Sequence, residues 1–99
     1  MEITDTTLFK VLGDNGACYH GGRGRWHLPA NGQPGRWMPS IRGKLEACER
    51  GYHLCTLAQL PAWLGPTIWI AEYDGERLDQ SDKIVVRRAR LAERVEPWN

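Results

Sequence analysis

Thr67-Ile68-Trp69-Ile70-Ala71-Glu72-Tyr73, followed downstream by Ile84-Val85-Val86-Arg87-Arg88-Ala89-Arg90-Leu91, is the stretch that decides the fold class. Both runs are rich in β-branched and aromatic residues and are flanked by turn-forming polar residues, so they read as strands. Asp74-Gly75 turns the first run, and Glu76 to Leu78 continues beyond it. In the second, from Asp82 to Ala92, Ile84, Val86, Arg88 and Arg90 alternate with Val85, Arg87, Ala89 and Leu91. The first set is apolar at its start and the second at its end, which predicts a twist or bulge midway.

Upstream, Thr6 to Leu12 is a further β-rich run, stopped by Gly13-Asp14-Asn15-Gly16, and Ala17 to His20 can return as its partner. Eight of eleven glycines and three of six prolines fall between Gly13 and Gly43, a stretch of turns and irregular backbone. Short extended pieces are expected at Arg25 to Leu28, Arg36 to Met38, Lys44 to Cys48 and Gly51 to Cys55. Thr56-Leu57-Ala58-Gln59 has the form of a capping box. Leu57, Leu60, Trp63 and Leu64 then follow at helical spacing, with Pro61 inside and Gly65-Pro66 as the stop. A mostly β domain with one clear helix is an α+β fold: a small split antiparallel β-sheet core with one or two short helices.

Ninety-nine residues make one domain, 1–99, with a core over about residues 6–95. Thirteen basic against twelve acidic residues, a net charge of +1, supply no bulk attraction to nucleic acid or to an acidic membrane. No apolar run approaches the length of a membrane span, and the acidic start is unlike a signal peptide. Three cysteines, an odd number, argue for reduced thiols in a cytoplasm. Five tryptophans anchor either a small core or a binding surface. Cys18, His20, Cys48, His53 and Cys55 are borderline-to-soft metal ligands in two clusters, but neither has the Cys-x2-Cys knuckle. No stoichiometric zinc is expected.

Tyr19-His20-Gly21, Gly51-Tyr52-His53-Leu54-Cys55, the helix, Ile68 to Glu76 and Asp82 to Val86 occur in an order that resembles the ADP-ribosyltransferase fold, in its poly-ADP-ribose-polymerase-like branch. The chain also looks like a small uncharacterised domain family of phages and bacteria with a Cys-Glu-Arg-Gly-aromatic-His-x-Cys segment. The first resemblance implies NAD as cofactor and transfer of ADP-ribose to a protein or nucleic-acid acceptor. It implies that His20 holds the nicotinamide ribose and that the Gly21 backbone holds the carboxamide. His53 stands where the family has its stacking tyrosine, with Tyr52 one place off and facing the other way. Trp63 stands near a second aromatic wall, and Asp82 where the family has its catalytic glutamate.

Each of these residues also has a plain structural reading. His20 can be a hydrogen-bonded strand residue, His53 and Trp63 can be core, and Asp82 can be a solvated turn carboxylate. The alternative to a transferase is a non-enzymatic binding module of phage or bacterial type. It would engage a protein or nucleic acid through Arg23, Arg25, Arg36 and Arg42 interleaved with Trp26 and Trp37. Arg87, Arg88, Arg90 and Arg94 are expected to be a salt-bridged or solvated strand surface.

Overall fold

Alternating apolar residues build β1 (Leu8–Leu12), β2 (Tyr52–Thr56), β3 (Thr67–Asp79) and β4 (Ile84–Arg94). The computed structural model describes residues 2–19, 24–46 and 50–96. The strands pair antiparallel in the order β1-β2-β4-β3, and β3 returns to β1, closing a barrel. The lengths of β3 and β4 permit this. The start of β3 serves β1, with Leu12↔Thr67 through Leu8↔Ala71, while its remainder runs along β4 to Asp79↔Ile84. The start of β4 serves β2 through Leu54↔Ile84 and Tyr52↔Val86.

Both faces of the barrel wall bury apolar side chains. One carries Leu8, Leu12, Leu54, Trp69, Val86 and Leu91; the other carries Phe9, Val11, Cys55, Ile68, Ile70 and Ala92. This is why Ile84-Val85-Val86 is buried without alternation. The midway irregularity expected in β4 is present. Ile84 and Val86 share a cluster with Ala89 and Leu91, so the apolar side changes parity between residues 86 and 89. Opposite, Asp74↔Arg88 and Arg77↔Val86 leave Gly75 and Glu76 facing one residue of β4. Gly75 takes φ +84°, so Asp74-Gly75 makes a bulge inside a continuous β3 rather than its end.

The long connection from β1 to β2 covers the first face. Trp26 enters the core at 5% exposure. The backbone N–H groups of Gly35, Met38 and Ile41 donate to the carbonyls of Leu91, Ala89 and Arg87, each at 2.8 Å. That segment extends the edge of β4 beyond the reach of β2 and satisfies carbonyls the short strand leaves over.

Three expectations are overturned. The fold is not an α+β split sheet: it is a four-stranded β-barrel, closed on itself, and it does not fit the ADP-ribosyltransferase resemblance. The expected helix is a single 3₁₀ turn, Leu60–Trp63. Its capping box forms, with Gln59 N–H donating to Thr56 Oγ1 at 3.2 Å and Thr56 N–H to Gln59 Oε1 at 3.0 Å. Pro61 supplies no N–H and Gly65-Pro66 follows at once, so nothing propagates from the cap. Ala17 makes only isolated bridging contacts rather than opening a second strand; His20 lies outside the described residues. No helix among the described residues is long and apolar enough to cross a membrane.

Candidate functional site

The β1–β2 ladder is the shortest in the barrel, registering only at Leu8↔Thr56 and Phe9↔Cys55. Beyond Phe9 the strands part, and Lys10 Nζ donates across the gap to the His53 carbonyl at 2.8 Å. The gap opens into a small, solvent-open cleft. Phe9 and Val11 give it an apolar floor, and Lys10, His53, Trp63 and Lys83 surround it together with the Cys55 thiol.

Local structure explains each placement. His53 and Cys55 are two apart on β2 and so share a face. The capped turn after β2 swings Trp63 over the opening, where its indole N–H donates to the Asp82 carbonyl at 2.6 Å. Gln59 adds a bond from Nε2 to the Gln80 carbonyl at 3.1 Å, so the turn is fastened at two points to the β3–β4 connection. Lys83, the last residue before β4, lies 5.5 Å from the Trp63 ring centroid and 3.8 Å from the Asp82 carboxylate.

The electrostatics follow from partial burial. Desolvation lowers the Lys10 pKa, and the Cys18 and Cys55 thiols oppose that shift. Burial lowers the His53 pKa, the Lys10 and Lys83 charges lower it further, and Asp82 opposes them. Burial pushes the Cys55 thiol up to about 11, against the pull of Lys10, which leaves it protonated and unreactive at neutral pH.

Of the residues singled out from sequence, His53 and Trp63 meet in this cleft and Asp82 stands at its rim, its side chain 54% exposed. Tyr52 faces the other way. Its hydroxyl donates to the Pro39 carbonyl at 2.6 Å, and its ring packs edge-on against Trp26 at 5.3 Å. His20 and Gly21 lie outside the described residues, as does Cys48. Among the described residues no three His, Cys, Asp or Glu side chains gather as a metal site. Sequence reasoning missed Lys10 and Lys83. The available signal was a lysine in the middle of the apolar run Leu8-Phe9-Lys10-Val11-Leu12, where an ammonium has no cheap place to go.

Among the described residues the arginines and tryptophans do not form one stripe; Arg23 lies outside the described residues. Trp26 is core, and Arg25 donates to the Asn15 carbonyl at 3.2 Å. Trp37 lies between the guanidinium groups of Arg88 and Arg90, 4.5 and 4.6 Å from its ring centroid. Those arginines and Arg87 pair with Asp74, Glu72 and Glu76 on β3.

No protein-family model, curated protein or solved structure matches this chain. The ADP-ribosyltransferase resemblance thus finds no support beyond its short motifs, and the barrel contradicts it.

Proposed function

We propose that this barrel is a non-enzymatic binding module and that it recognises a small ligand in the seam cleft. The observation that carries this reading is the meeting of Lys10, His53, Trp63 and Lys83 around one opening with an apolar floor. A few polar groups converging on an apolar pocket are the usual make-up of a small-ligand site. The cleft also sits where two strands of a closed barrel separate, so ligand binding would cost no ladder hydrogen bonds. NAD belongs among the ligands to try, because it offers both a planar base and a charged pyrophosphate. The odd number of cysteines, three, suits a cytoplasmic setting.

A second reading keeps a protein or nucleic-acid partner on the outer face. It is favoured by the half-exposed Trp37, whose ring contacts two guanidinium groups. The carboxylates of Glu72, Asp74 and Glu76 already occupy the neighbouring guanidinium groups, which reduces the attraction for phosphates.

A fragment library and NAD titrated into labelled protein, followed by amide and indole NMR shifts, separate the two. Shifts at His53 and the Trp63 indole are expected. Shifts confined to Trp37, Arg88 and Arg90, seen with oligonucleotide and with no small ligand, would replace the cleft by the outer face.

A further inference from the structure

Lys10 is an ammonium on the cleft wall whose bonded partner is a neutral carbonyl, that of His53, and no carboxylate among the described residues forms an ion pair with it. It also lies 5.2 Å from the Trp26 ring centroid, which stabilises a cation without neutralising it. The cleft's other charged groups among the described residues are basic as well: the buried Lys83 and the titratable His53. Among the described residues lining the cleft none is acidic; the adjacent acid, Asp82, holds its carboxylate beside Lys83, more than half exposed.

We infer that the cleft is a site for a small organic phosphate, with Lys10 and Lys83 receiving the phosphoryl oxygens and Trp63, Phe9 and Val11 receiving the organic part. The inference rests on the reading of the cleft as a ligand site and adds the chemistry of the ligand. Lysines act as compact point charges toward phosphate and need no fixed fork. A dianion supplies the counter-charge that the desolvated Lys10 lacks. It also reverses the unfavourable field that Lys10 and Lys83 impose on His53, so the imidazole gains a proton as the ligand binds. Among the described residues, charged or titratable groups around His53 include Lys10 on β1, Cys55 on its own strand, and Asp82 and Lys83 beside β4. Of these only Asp82 opposes an anion.

The test uses phenyl phosphate, inorganic phosphate, benzoate and phenol as probes in NMR titrations of the full chain, with the His53 ring followed as a function of pH. Phenyl phosphate is expected to bind tightest, to move the His53 and Trp63 signals, and to raise the His53 pKa. Lys10→Met and Lys83→Gln should each weaken it by roughly tenfold or more, the scale of one lost charge-assisted bond. Lys44→Met, at an exposed residue that does not line the cleft, should leave it unchanged. If Lys10→Met unfolds, Lys83→Gln and the His53 titration still decide the matter. Phenol binding as tightly as phenyl phosphate overturns the phosphate assignment while the cleft remains a ligand site. Benzoate matching phenyl phosphate overturns phosphate in favour of carboxylate. Failure of all four probes to move His53 or Trp63 removes both the inference and the cleft reading beneath it.

Discussion

At the scale of single residues, the buried polar groups of the seam are the informative ones. The Cys55 thiol, pushed up to about 11 by burial, is overwhelmingly protonated at pH 7. It is therefore expected to resist iodoacetamide at pH 7 in the folded protein, to react at pH 10, and to react readily once urea unfolds the chain. Intact-mass measurement checks this, and fast folded-state alkylation at pH 7 would contradict the burial argument. His53 gives a pH dependence of definite sign. Its native pKa lies below the ordinary value of about 6.5, so between the two the unfolded chain holds more protons than the native one. Stability should be flat above that range and should fall as pH drops through it. His53→Gln should flatten the fall between about pH 7 and 5 in thermal melts. An unchanged slope would place the titrating group elsewhere.

At the scale of elements, the turn Leu60–Trp63 positions the site although it is too short to be a stable helix. Its geometry comes from the reciprocal Thr56–Gln59 bonds and from the attachment of Gln59 and Trp63 to the β3–β4 connection. Thr56→Ala removes one cap bond and should cost about 1 kcal/mol. Because the same turn carries Trp63, the variant should also broaden or shift the Trp63 indole resonance. A loss of stability with an unmoved indole would show that the capping bonds do not place the aromatic wall. The arginines of β4 are a contrasting case. Their bonds to Glu72, Asp74 and Glu76 lie on an accessible surface, where such pairs contribute little to stability.

At the scale of the whole molecule, stability resides in closure. β1 is five residues long yet touches both β2 and β3, so it is the stave that turns an open sheet into a barrel. Phe9, 1% exposed, registers with Cys55 on one side and Ile70 on the other. Phe9→Ala should cost about 3–5 kcal/mol by lost transfer energy and the cavity left behind. Glu72→Gln, on the accessible hairpin face, should cost under about 1 kcal/mol. Denaturant melts of the two variants measure the difference. Comparable losses would mean that the charged hairpin, rather than the closed wall, holds the molecule together.

The amino-acid sequence by itself determined the strands, because β-branched alternation and turn residues act locally. β3 and β4 were legible at Thr67 to Tyr73 and Asp82 to Ala92, as was the change of parity within β4 between Val86 and Ala89. The capping box at Thr56 and Gln59 was legible for the same reason: both of its bonds span three residues. The α+β reading erred where a local signal met a long-range limit. A good cap and helical spacing could not lengthen a helix crossed by Pro61 and stopped at Gly65-Pro66. Pairing partners are not local either. Nothing in Leu8 to Leu12 announces that it will lie between residues 52–56 and 67–71, and that arrangement alone separates a closed barrel from a split sheet. The resemblance, rather than residue type, suggested His53, Trp63 and Asp82 as site residues. Only the tertiary structure set Lys10 and Lys83 beside the first two, because a cleft belongs to the gap between strands that are more than forty residues apart in the chain.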